Sequence, residues 1–249
     1  MRRATSQHPR IHIPSALAPG ATLPLPVAAA HHLSRVLRAR TGDEVVVFNA
    51  GVEFPASIAR IDKQGVMVKL AAGVAVDRES PLPCLLAQAI SSGERMDITV
   101  QKAVELGIQR VQTLYSERSV VRLDAGRTAK RVEHWRQIVI AACEQCGRNV
   151  IPGVAPPQPV MDWLGALPPP RDDELRILLA PRAGTRLAEL ARPAAVTLLA
   201  GPEGGFTASE ADFAQQRGFV AVRLGPRVLR TETAALAALA AINTLWGDF

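Results

Sequence analysis

The chain has 249 residues, 48% of them hydrophobic, enough for one large domain or two modest ones that fold without covalent staples. Three cysteines, an odd number, argue against a disulfide framework and fit a reducing compartment, and the residues after Met1 lack the apolar stretch of a secretory signal. The Ala-rich run after Thr233 is broken by Asn243 and suits a buried helix better than a membrane span, so the protein is expected to be cytoplasmic, and the net charge of +6 is almost all arginine.

Up to about Leu70 the pattern predicts short strands, Arg10 to Ile13, Thr22 to Leu25, Glu44 to Phe48, Phe54 to Ile61 and Val66 to Leu70, punctuated by Gly20, Gly42, Gly51 and Gly65. One helix interrupts them, about Ala28 to Ala39, with Leu33, Val36 and Leu37 as its apolar stripe and His31, His32, Arg35 and Arg38 on the other side. The spacing suggests a small β-barrel. Its charge is one-sided: the first 42 residues hold six arginines (Arg2, Arg3, Arg10, Arg35, Arg38, Arg40) and four histidines, with no Asp or Glu before Asp43. Such a segment is the electrostatic footprint of a polyanion-binding surface, and Arg10, Arg35 and Arg38 are the expected phosphate contacts.

Residues Ala71 to Pro83 read as a linker, which divides the chain into 1–72 and 73–249. Beyond it the period changes to strand-helix alternation. Strands are expected at Cys84 to Ile90, Arg110 to Tyr115, Leu175 to Ala180, Val196 to Ala200 and Val220 to Leu224. Helices are expected at Met96 to Leu106, Thr128 to Cys146 and Asp162 to Leu167. This is an α/β layer with a largely parallel sheet. The proline clusters Pro156-Pro157-Gln158-Pro159 and Pro168-Pro169-Pro170 read as rigid loop.

The last two strands open into Gly201-Pro202-Glu203-Gly204-Gly205-Phe206 and Leu224-Gly225-Pro226-Arg227-Val228-Leu229-Arg230-Thr231-Glu232-Thr233-Ala234. Two strand-loop-helix corners therefore face the same way, at the sheet edge where α/β proteins bind small ligands. Glycines let backbone approach a ligand, and helix N-termini offer unpaired N–H groups. Glu203 suits either an acceptor for a ligand or a brace for its loop. Arg227 and Arg230 suit either a phosphate or developing oxyanion, or pairing with Glu203 or Glu232. Thr231 to Thr233 supply a hydroxyl cap for the following helix. Dinucleotide and phosphate-loop fingerprints, H-E-x-x-H and G-x-S-x-G are missing, and no metal-ligand set is clustered. Cys143-Glu144-Gln145-Cys146 lies in a helical pattern without a second pair, which favours packing over zinc.

These corners resemble the signature of RsmE-type 16S rRNA uridine N3-methyltransferases, members of the SPOUT (α/β-knot) class. Further matching blocks are Gln101 to Gly107, Ser116-Glu117-Arg118-Ser119, Ala141 to Arg148, and His31-His32-Leu33-Ser34-Arg35-Val36-Leu37-Arg38. The resemblance runs nearly end to end, and five blocks in order make it specific. It implies a trefoil-knotted C-terminal domain, a PUA-like N-terminal barrel that helps hold RNA, and a homodimer whose active site draws on both subunits. It implies S-adenosylmethionine (SAM) as cofactor and 3-methyluridine in the decoding region of small-subunit rRNA as product. Leu199, Gly201, Pro202, Glu203, Gly204, Leu224, Gly225, Leu229, Thr231, Glu232 and Thr233 are then the expected cofactor-binding residues. Arg230 is the expected electrostatic catalyst, with Arg118 second. No general base is evident, since none of the five histidines lies in the C-terminal blocks. Two other readings fit the charge: a non-catalytic RNA-binding scaffold, and a SPOUT methyltransferase for another rRNA or tRNA position.

Overall fold

A computed structural model describes residues 8–119 and 125–249, which fall into two compact units. The first takes the chain up to Glu79 together with Cys143–Ile151, and the second takes Ser80–Ala142 and Pro152–Phe249.

The first unit is a six-stranded sheet ordered β1 (Arg10–His12), β3 (Glu44–Asn49), β4 (Val52–Asp62), β5 (Gly65–Leu70), β2 (Thr22–Pro24), with β6 (Val74–Ala75) also on β4. Only β1 and β3 run parallel. β3 turns into β4 through Ala50 and Gly51, both at positive φ (47° and 85°), the geometry of a two-residue hairpin that follows strand twist. Ile11 from one end of the strand order and partly buried Leu23 from the other meet in one core with Val45, Val47, Ile58 and Val68. The sheet therefore wraps around its interior as a barrel. Helix α1 (Val27–His31) closes it with Ala30, then widens into a π turn over His32–Val36 that buries Leu33, and Arg38 at φ 53° follows it. The wider winding breaks the expected stripe: Leu33 is buried, whereas Val36 and Leu37 are 61% and 48% exposed.

The second unit is a seven-stranded, fully parallel sheet. Its strands are β7 (Cys84–Ala89), β8 (Arg110–Tyr115), β9 (Gly153–Pro159), β10 (Glu174–Leu179), β11 (Thr185–Arg186), β12 (Ala195–Ala200) and β13 (Phe219–Arg223). They lie in the order β11-β13-β10-β12-β7-β8-β9. The helices are α2 (Arg95–Glu105), α3 (Ala125–Cys146), α4 (Val160–Ala166), α5 (Ala208–Gln216) and α6 (Thr231–Trp246). Ala87, Leu114, Leu178 and Leu199 pack against Val160, Trp163 and Leu164 of α4 and Ala214 of α5. α2 packs on α6, where small alanines such as Ala235 and Ala238 are buried and permit close approach. Asn243 of α6 donates to the Leu106 carbonyl at 2.6 Å, tying the two helix ends together.

Two elements depart from expectation. Pro156, Pro157 and Pro159 stand in strand β9 and not in a loop. β9 is an edge strand paired only with β8, so missing N–H groups on its free side cost no ladder bond. β11, two residues long, carries no periodicity to detect.

Candidate active site

β10 separates β12 from β13, so the corners after β12 and β13 stand on either side of the carboxyl end of β10. Together the three ends enclose a cavity of about 900 Å³. That is the size range of cofactor sites. The corners are tied directly: the Thr231 hydroxyl donates to the Gly201 carbonyl at 2.6 Å, and fully buried Gln88 of β7 donates to Thr231 Oγ1 at 3.2 Å. The expected Thr hydroxyl cap is therefore absent at Thr231, whose side chain reaches across to the neighbouring corner. α6 begins at Arg230 without a side-chain cap, while α5 begins with a reciprocal box in which Thr207 and Glu210 each accept from the other's N–H.

Close packing explains two glycines of the first corner. A Cβ on Gly201 would stand 3.2 Å from the Gly205 Cα, and one on Gly204 would stand 3.1 Å from the Arg118 Cβ. Apolar walls come from Leu178, Val222, Leu224 and Leu229.

The charged groups divide into tethered and free. Glu203 accepts from the Ser92 N–H at 2.9 Å, the Ser92 hydroxyl at 2.7 Å and the Arg95 guanidinium at 2.7 Å. Burial would push its carboxyl up, but the Ser92 donors, its own N–H and Arg95 outweigh burial and hold it at about 2. Of the alternatives for Glu203, bracing is what the geometry shows, with Arg95 as partner in place of Arg227 or Arg230. Arg118 donates to the carbonyls of Gly204 at 3.0 Å and Phe206 at 3.4 Å, so it also holds the first corner. Arg227 and Arg230 line the cavity, are exposed, and form no ion pair among the described residues. Glu232 lines it too, and its Oε2 is shut from solvent with no hydrogen-bond partner among the described residues.

Gly201, Pro202, Glu203, Gly204, Leu224, Leu229, Thr231 and Glu232 thus meet at one cavity, with Arg118 and Arg230. Leu199, Gly225 and Thr233 do not line it: Leu199 is a core residue pointing between β12 and α4–α5, and Gly225 and Thr233 face solvent. The sequence reading missed Leu178 to Arg182, which join the site because β10 lies between the corners, and Arg95, which begins α2 after β7, the other neighbour of β12, and reaches Glu203; neither has a glycine or motif to announce it.

Arg10 is a correction. Its guanidinium pairs with Glu53, donates to Asn149 Oδ1 at 2.6 Å, and lies over the Phe48 ring 4.7 Å from its centre, with only 8% of the side chain exposed. Glu53, Asn149 and the Gly147 and Arg148 carbonyls occupy its two terminal nitrogens inside the first unit, so it is not presented to a phosphate. Arg35, Arg38 and Arg40 are exposed as expected, and Arg2 and Arg3 lie outside the described residues. Among the described residues no His, Cys, Asp and Glu group could hold a metal. Cys143 is buried, its Sγ 3.8 Å from the Val150 carbonyl, and burial pushes its thiol up to about 12.

The sequence matches the family described as RNA methyltransferase domain over residues 78–243 and that described as RNA methyltransferase PUA domain over residues 25–71. A protein of Buchnera aphidicola subsp. Schizaphis graminum, named ribosomal RNA small subunit methyltransferase E, is 35% identical over 242 residues, 96% of this chain and 97% of its own. A protein of the same name from Neisseria gonorrhoeae, solved bound to S-adenosyl methionine, is 40% identical with a TM-score of 0.89, covering 97% of this chain and 99% of that one. A Legionella pneumophila protein solved with bound SAM is also 40% identical, with a TM-score of 0.92 over the same shares.

Proposed function

This chain belongs to the RNA methyltransferase family, with an α/β-knot (SPOUT) domain and a PUA-like barrel, and from that we infer a SAM-dependent methyltransferase acting on small-subunit rRNA. We propose N3 of a uridine in the decoding region as the methylated atom, the catalytic domain as 73–249 and the RNA-holding barrel as 1–72. The working unit is a homodimer in the cytoplasm, where its substrate is made. The observation that carries the reading is the pair of corners joined at Thr231 and Gly201 around a cavity with leucine and valine walls and arginines at its rim.

The residues present fit this cofactor. Glycine corners with little side-chain bulk and leucine walls suit a neutral adenine, which main-chain donors and acceptors recognise better than charges do. Gly201 to Gly204, Leu224, Leu229 and Thr231 would hold it. Bound SAM supplies an electrophilic methyl group on a sulfonium. The chain's own work is positioning and charge: the Glu203 brace and the Arg118 bonds fix the first corner, so little motion remains to be ordered when substrate arrives. A uridine that loses its N3 proton carries negative charge on its ring oxygens, and Arg230, exposed at the cavity and without an ion pair among the described residues, is the candidate to stabilise it. Arg35 and Arg38 contact phosphates from the barrel.

The test is methylation of unmodified small ribosomal subunits, read by nucleoside mass spectrometry, with SAM binding measured by calorimetry. Formation of 3-methyluridine is expected, and Arg230→Ala should lower the single-turnover rate about 100-fold at saturating cofactor. Binding of SAM without 3-methyluridine would turn the reading toward another position, and no binding by folded protein would favour the scaffold.

A further inference from the structure

Among the described residues two carboxylates line the cavity, Glu203 and Glu232, and they are not equivalent. Glu203 takes three donors on its Oε1 and is held at about 2, which leaves it little basicity to take a proton. Glu232 sits in the first turn of α6, one residue past the Thr231 that ties the corners together; it is part-buried at the cavity wall, and its Oε2 is shut from solvent without a donor among the described residues. A buried carboxylate oxygen without a partner carries a cost that a hydrogen-bond donor relieves. The other charged groups lining the cavity among the described residues are arginines, Arg95, Arg118, Arg182, Arg227 and Arg230, all donors without acceptor capacity. Arg95 is engaged by Glu203, and Arg118 by the Gly204 and Phe206 carbonyls.

Uridine N3 carries its proton into the site, and methylation there needs an acceptor for it. Resting on the methyl-transfer reading above, we propose that Glu232 is the general base. As N3 forms its bond to the methyl carbon, the carbon–sulfur bond breaks with its electron pair left on sulfur, and the N3 proton passes to the Glu232 carboxylate. S-adenosylhomocysteine and 3-methyluridine result, and the proton leaves to solvent afterwards. Arg230, two residues earlier in sequence, holds the charge that develops on the ring oxygens while Glu232 takes the proton, so the one loop provides both halves of the chemistry.

Glu232→Gln keeps the shape and removes the base. With wild type and variant saturated with SAM, single-turnover formation of 3-methyluridine is followed from about pH 6 to 8.5, and SAM affinity is measured separately by calorimetry. The expected loss is about 100-fold near pH 7, with cofactor affinity within about threefold of wild type. The variant rate should climb about tenfold per pH unit as hydroxide replaces the carboxylate, while the wild-type rate stays nearly level. A loss below tenfold, a loss that does not recover with pH, or weakened cofactor binding with a normal saturated rate each overturns the assignment. Should the amide variant fail to fold, Glu232→Asp decides: its pH profile must stay as level as wild type's, and a rising one overturns the proposal. A wild-type enzyme that binds cofactor but makes no 3-methyluridine overturns the reading and the base together; an unaffected variant beside an active wild type overturns the base alone.

Discussion

Glu203 was visible in the sequence as part of a glycine corner, but its task was not. Its partner Arg95 lies 108 residues away, and no local pattern links the two. The same limit applies to Arg10, whose company of Glu53 and Asn149 comes from distant parts of the first unit. Composition could count its charge but could not say that the charge is spent internally. The depressed carboxyl of Glu203 gives a pH prediction with a definite sign. Its brace contributes fully above the ordinary carboxylate range near 4.5 and is lost as pH falls from there towards 2. Glu203→Ala should therefore lower stability by about 1–2 kcal/mol at neutral pH, a figure reduced for its partial exposure. In thermal unfolding the gap between wild type and variant should be constant from about pH 6 to 8 and close below about pH 4.

Strands with clean alternation and apolar runs were legible to within two residues, because a side-chain period of two is a local property. β9 was not, because proline content signals loop unless the strand is known to sit at an edge, and edge position is a property of the sheet. The π turn at His32–Val36 escaped for a similar reason: the residues suit an α-helix, and only the placement of Leu33 in the barrel core selects the wider winding. At the start of α6 the local reading of a threonine cap gave way to a long-range bond between the Thr231 hydroxyl and the Gly201 carbonyl. Thr231→Val should cost about 1–2 kcal/mol and weaken SAM binding roughly tenfold, since the corners would no longer be registered to each other. Thr231→Ser, which keeps the hydroxyl, should restore the affinity. Calorimetry on the two variants checks this.

The basic segment at the start of the chain contains arginines of two kinds, and salt dependence separates them. Arg35→Ala and Arg38→Ala should each flatten the dependence of RNA affinity on salt by about 0.7–0.9 in logarithmic slope, with unchanged cofactor binding. Arg10→Ala should leave the slope alone and destabilise the protein by about 1–2 kcal/mol, because the bond to Asn149 and the packing on Phe48 are lost while Glu53 keeps Arg78. Fold class, cofactor and the RNA-binding character could thus be read from patterns and matching blocks, whereas the contribution of Leu178 to Arg182 required knowing which strands are neighbours. That strand order has a further consequence for synthesis. The cavity is closed only when Thr231 meets Gly201 across 30 positions of sequence. A chain grows from its N-terminus, so the basic barrel strands are made first and the pocket cannot exist until the first turn of α6 has been made. A nascent or truncated chain ending before α6 can carry the polyanion-attracting segment yet has no means to retain the methyl donor.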